Sequence, residues 1–240
     1  ESAMDDTTAS RVRDHLIVAL DLETRREALD LVEQLGDRVD RYKVGPTMFT
    51  RYGPALLDDL AESGAELFVD LKFHDIPNTV AGAVEAVAER DDVFLMTIHA
   101  SGGREMIARG AGAAGGEGPE IVAVTALTSL DERDVRAVAG ETTLDDWAGR
   151  LADLALEAGA DGLVCSAHEA PDFRQSYGSE PTLVTPGIRL AEDERGDQKR
   201  VVTPGQALEA GSDYLVMGRS IYGADDPVAA VEAVARSIAG

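Results

Sequence analysis

Short runs rich in valine, isoleucine and leucine recur eight times along this chain, at residues 15–20, 41–44, 66–71, 93–98, 121–127, 162–165, 182–184 and 214–217. They are near-continuously apolar rather than alternating, the pattern of a strand covered on both faces. Between most of them lie stretches, such as 25–35, 79–89, 144–158 and 227–238, whose apolar residues recur at helical spacing. Strand then helix, repeated eight times in 240 residues, matches the size of an α/β chain folded as one (β/α)8 TIM barrel. A doubly wound sheet is the alternative. Against it, the first run passes from Asp21 into Leu22-Glu23-Thr24 without the Gly-x-Gly-x-x-Gly turn with which such a sheet holds a dinucleotide. The expected layout is a flexible segment over residues 1–12 and the barrel over 13–240. The Gly- and Ala-rich stretch 110–119 is expected to be a flexible loop, not a linker. Met4 stands behind Glu1-Ser2-Ala3, so the first three residues are either a cloning scar or the remnant of processing further upstream.

Acidic residues number 45 against 22 Lys plus Arg, a formal charge of −23, which argues against nucleic acid and anionic membranes as partners. With 44% hydrophobic residues the chain lies well above the disorder regime, so the acidity belongs to a folded surface and a salt-rich habitat is expected. The lone cysteine, Cys165, excludes an intrachain disulfide, and its neighbours Gly162-Leu163-Val164 make it a buried strand residue in a reducing compartment. No apolar stretch of about 18 residues occurs, and the polar, acidic start lacks the basic and apolar regions of a signal peptide. A soluble, cytoplasmic protein is expected.

Only three lysines stand against nineteen arginines, and two of them, Lys43 and Lys72, end apolar runs. An ammonium shifts its pKa and moves protons, whereas a guanidinium does not release its proton, so lysine kept where arginine is the usual cation points to titration. Asp70 and Lys72, two apart on a strand, share a face. Taken alone such a pair is a solvated ion pair of little worth. Its surroundings change that, because the active site of a barrel lies at the C-terminal ends of the strands. There the chain places Asp21, Lys43, Asp70 with Lys72, Thr128, and Gly218 with Arg219. Asp21 alone also reads as a helix N-cap, and His99 as a structural residue; His74 reads as a positioning residue in the loop after the third strand.

The last two strands carry a phosphate signature. Thr185-Pro186-Gly187-Ile188-Arg189 and Val216-Met217-Gly218-Arg219-Ser220 supply glycines for close backbone approach and guanidinium forks for oxygen pairs, at the loops where barrels of this kind hold phosphate. Between them the polar stretch 190–201, with Gly196 and Gln198, is expected to close over a bound phosphate.

Taken together, Asp21, Tyr42-Lys43-Val44-Gly45, the ten residues from Asp70 to Thr79, Leu127-Thr128-Ser129, Thr185 to Arg189, Asp197-Gln198 and Gly218-Arg219-Ser220 resemble the orotidine 5'-monophosphate decarboxylase family, enzymes of the last step of pyrimidine nucleotide synthesis. The ten-residue segment is specific; the glycine and arginine fragments are weak alone. The resemblance implies a cofactor-free homodimer without a metal, acting on a nucleotide, in which Asp75, Ile76 and Thr79 reach into the partner's site. It implies that Asp21 and Thr128 contact ribose and pyrimidine, that Gln198, Gly218 and Arg219 hold phosphate, and that Arg189 belongs to the same motif.

Loss of carbon dioxide from C6 of a pyrimidine leaves an anion that no carbonyl delocalises as an enolate, so the protein must stabilise it by charge. Lys72 suits both that task and the protonation that follows, with Asp70 near the departing carboxylate and Lys43 and Asp75 completing an alternating array. The motif also resembles magnesium-dependent sugar-phosphate decarboxylases and aldolases, which place a metal-holding carboxylate at the end of the second strand, where this chain has Lys43. A catalytically silent nucleotide-binding barrel is the third reading.

Overall fold

A computed structural model describes residues 6–191 and 202–239. The strands are β1 (Leu16–Ala19), β2 (Arg41–Val44), β3 (Glu66–Phe73), β4 (Val93–His99), β5 (Glu120–Val124), β6 (Gly162–Val164), β7 (Thr182–Pro186) and β8 (Tyr214–Met217). They form a closed barrel in chain order, which excludes the doubly wound alternative. The helices among the described residues are α1 (Asp6–His15), α2 (Arg25–Leu35), α3 (Pro46–Tyr52), α4 (Pro54–Glu62), α5 (Pro77–Ala88), α6 (Arg104–Ala114), α7 (Glu132–Ala139), α8 (Leu144–Glu157), α9 (Ala170–Tyr177), α10 (Pro204–Glu209), α11 (Arg219–Tyr222) and α12 (Pro227–Ala239). None of them is long and apolar enough to cross a membrane.

The chain divides into two compact units, Leu71–Val184 and the residues on either side of that segment. In the flanking unit β8, β1, β2 and β3 pair in parallel, with Ala19 opposite Lys43 and Val44 opposite Val69. Leu16, Ile17 and Val18 are fully buried, as the continuous apolar run requires. Helix α2 shows how local signals place an element. Thr24 accepts from the Glu27 amide while Glu27 reaches back to the Thr24 amide at 2.9 Å, a capping box worth about 1 kcal/mol. Ala28, Leu31, Val32 and Leu35 then form its buried stripe. Helix α1 begins at Asp6, inside the stretch expected to be flexible through residue 12; Val12 is fully buried and α1 packs against α12, which supplies the apolar partner that a short helix needs.

In the Leu71–Val184 unit, β4, β5, β6 and β7 pair in parallel. The stretch expected as a loop from residue 110 is helical through Ala114. Of the two glycines there, Gly110 has a packing role: a Cβ on it would lie 3.2 Å from Val80 Cγ1 and 3.7 Å from Ile98 Cγ2, so the small residue lets α6 lie close to α5 and β4. Glycine content alone reads as flexibility, and only the neighbouring helix reveals the closer fit. Cys165, directly after β6, is buried as expected.

Candidate active site

The strand ends of the flanking unit gather the first charges. Lys43, the third residue of β2, is 8% exposed, and its Nζ lies 3.4 Å from Asp21 Oδ1 and 3.4 Å from Asp70 Oδ2. Asp70 is itself buried, whereas half of the Asp21 side chain is open. The backbone holds these ends in step, with the Leu20 amide donating to the Lys43 carbonyl at 3.0 Å. Gly45 makes room for the contact, since a Cβ there would sit 3.1 Å from Lys43 Nζ and 3.2 Å from Asp21 Oδ1. Because Thr24 caps α2, the cap reading of Asp21 falls away and its carboxylate faces the lysine.

In the same unit a cavity of about 300 Å³ is lined by Gly187, Ile188, Arg189, Val216, Gly218, Arg219 and Ser220, which brings the two phosphate-type segments together. Gly187 holds φ +78 at the end of β7, a conformation that side-chain-bearing residues rarely adopt, while Ile188 is anchored in the core. Below the turn, the Thr185 and Ser212 hydroxyls share a buried hydrogen bond of 2.6 Å. Tyr222, which sequence reasoning missed, responds to both regions. Burial and the Asp21 carboxylate push its phenol up, while the Arg219 and Lys43 cations oppose them. Its position four residues after Gly218 on α11 was the available signal.

Lys72, two residues after Asp70, belongs to the other unit. It is the one non-glycine residue at positive φ among the described residues, at +50, and its amide donates to Thr97 Oγ1 at 2.8 Å. His74 and His99 stack with ring centroids 5.3 Å apart, and His99 Nδ1 lies 2.8 Å from the Ser101 hydroxyl. Burial, then the electrostatic influence of His74 and Lys72, hold the His99 imidazole below its ordinary range. His99 therefore sits within the field of Lys72. Asp75 accepts from the Ile76 amide at 2.6 Å. Asp75 and Thr79 are exposed, and Ile76 is 67% exposed where α5 begins. Thr128, in the loop after β5, lines a second cavity of about 490 Å³ with Leu127, Leu130, Leu144 and Phe173. Gln198, with most of the stretch expected to close over phosphate, lies outside the described residues.

A parallel barrel with a buried lysine between two carboxylates, and a glycine–arginine cavity at its last two strands, has the layout of a barrel enzyme. The Orotidine 5'-phosphate decarboxylase / HUMPS family model matches residues 14–234, and the chain belongs to that family. It is 48% identical over 226 residues to the orotidine 5'-phosphate decarboxylase of Pseudoalteromonas translucida, covering 93% of this chain and 96% of that one. It is 47% identical over 227 residues to that of Coxiella burnetii, with the same coverage. Among solved structures, the orotidine 5'-phosphate decarboxylase of Lactobacillus acidophilus superposes with a TM-score of 0.82 at 35% identity, covering 95% of this chain and all of that one.

Proposed function

We propose how this chain carries out the decarboxylation of orotidine 5'-monophosphate to uridine 5'-monophosphate, the last step of de novo pyrimidine nucleotide synthesis. The observation that carries the assignment of roles is Lys43 Nζ lying 3.4 Å from both Asp21 and Asp70. An ammonium there fills the end of β2, where the sugar-phosphate enzymes place a metal-holding carboxylate, and it would repel a divalent cation. The array is therefore one of alternating charge that needs no metal or other cofactor. Asp70 lies near the departing carboxylate, and Lys72 stabilises the charge that develops at C6 and then delivers the proton to it. Lys43 holds Asp70 in place.

Rate enhancements near the upper end of the enzyme range require about 20 kcal/mol, more than one ammonium supplies. Binding energy at the remote phosphate makes up part of the difference. Arg219, Gly218 and Arg189 line the cavity suited to that phosphate, and Gln198, the further phosphate contact in this reading, lies outside the described residues. Asp21 and Thr128 take the ribose and pyrimidine. Asp75, Ile76 and Thr79 complete the site of a second copy in a homodimer, which accounts for a large apolar side chain, Ile76, left exposed beside them. The cytoplasm is the compartment that fits a reduced, buried Cys165. The charge of −23 fits adaptation to salt, which a melting temperature rising with potassium chloride supports and a flat one refutes.

Turnover of orotidine 5'-monophosphate, followed by its loss of ultraviolet absorbance, tests the whole. Activity should survive dialysis against a chelator at constant monovalent salt. Lys72→Ala should abolish nearly all turnover while product binding persists. Retention of more than about a tenth of kcat removes Lys72 as the acid.

A further inference from the structure

Lys72 combines two properties that a strand residue does not ordinarily share: it lies within β3, and its φ is +50. For a side-chain-bearing residue this conformation is disfavoured and persists only where the surroundings impose it. It also breaks the alternation of the strand. The direction of the Lys72 side chain is then set by the local backbone rather than by the pleat that would put it on the face of Asp70. The feature next to it on β4 is Thr97. That residue is 0% exposed within the otherwise apolar core of its strand, and its Oγ1 accepts the Lys72 amide at 2.8 Å. A hydroxyl placed in an apolar core costs stability unless it is hydrogen-bonded, and here the bond goes to the backbone of the residue with the unusual conformation.

We propose that Thr97 is a positioning residue for Lys72: its hydroxyl accepts the Lys72 amide, holds the left-handed backbone at that point and thereby aims the ammonium. The role rests on Lys72 as proton donor and adds to it a reason for the lysine's orientation. Thr97 touches no reacting atom in this scheme, so its loss should act on the chemical step and spare the affinity for nucleotide.

The test compares Thr97→Ala with Thr97→Ser, which differ by the hydroxyl alone, and adds Thr97→Val, which keeps the branched shape. Each is assayed for kcat, KM and inhibition by uridine 5'-monophosphate, with Lys72→Ala measured alongside. A misaimed acid costs roughly 10- to 100-fold, so Thr97→Ala and Thr97→Val should lose that much kcat while KM and product inhibition stay within about threefold. Thr97→Ser should remain within about threefold of the parent in kcat. If Thr97→Val fails to fold, the Ala and Ser pair still decides. Equal kcat in that pair, or a loss confined to KM, overturns the role of Thr97 while an inactive Lys72→Ala leaves the proton donor in place. Turnover surviving in Lys72→Ala overturns both.

Discussion

Lys43 Nζ stands 3.4 Å from Asp70 Oδ2, and the two side chains are only 10% and 11% exposed. Neither charge has much bulk water to fall back on, so each relies on nearby opposite charge, which for Lys43 includes Asp21 at 3.4 Å. The pair is weak evidence for added stability, because removing two charges from water offsets much of their attraction. Breaking it is another matter.

Lys43→Met should take an opposite charge away from the buried Asp70 carboxylate and destabilise the fold by about 3 kcal/mol. Adding Asp70→Asn removes the buried carboxylate charge as well and should restore part of the loss. Chemical denaturation of both single variants and the double variant measures this coupling, and strictly additive effects would mean the two residues do not act as a pair.

Arg219 lines the cavity at the ends of β7 and β8 beside Gly187 and Gly218. Arg219→Ala should lower kcat/KM for the nucleotide by about 10²- to 10³-fold, the scale of a lost charge-assisted contact. The same substitution should affect a phosphate-free nucleoside far less. Equal losses on both substrates would place Arg219 away from the phosphate.

Asp75 is exposed at the turn into α5. If it serves the site of a second copy, mixing Lys72→Ala with Asp75→Asn protein under subunit exchange should recover about a quarter of wild-type sites, because each mixed dimer carries one intact site. Demonstrated exchange without recovered activity would assign Asp75 to its own subunit.

His99 has its imidazole held below the ordinary 6.5, first by burial and then by the electrostatic influence of His74 and Lys72. The unfolded chain therefore binds this proton before the folded one does. Stability from His99 is complete above about pH 6.5 and is lost as the pH falls through the lower folded value. His99→Asn removes that dependence, so the gap in melting temperature between wild type and variant should narrow between about pH 7.5 and 5. A constant gap would show that His99 titrates alike in both states.

The barrel was legible because its signals are local. Apolar runs mark strands, the residues at 41–44 and 214–217 coincide with β2 and β8, and the Thr24-x-x-Glu27 box opens α2 where the pattern begins. The charged and glycine-bearing strand ends could likewise be read in one dimension, since a barrel turns every strand's C-terminal end toward one face. What the chain order could not disclose depends on residues far apart in it. Gly110 looks like a flexible point until α5 and β4 surround it, and α1 looks unstructured until α12 offers a face to bury Val12. Thr97 carries no local motif at all, and Lys72 follows Asp70 at ordinary strand spacing. A backbone conformation costly to a lysine, and the buried hydroxyl 25 positions away that accepts its amide, are balanced only when two strands meet, so tertiary packing alone decides them.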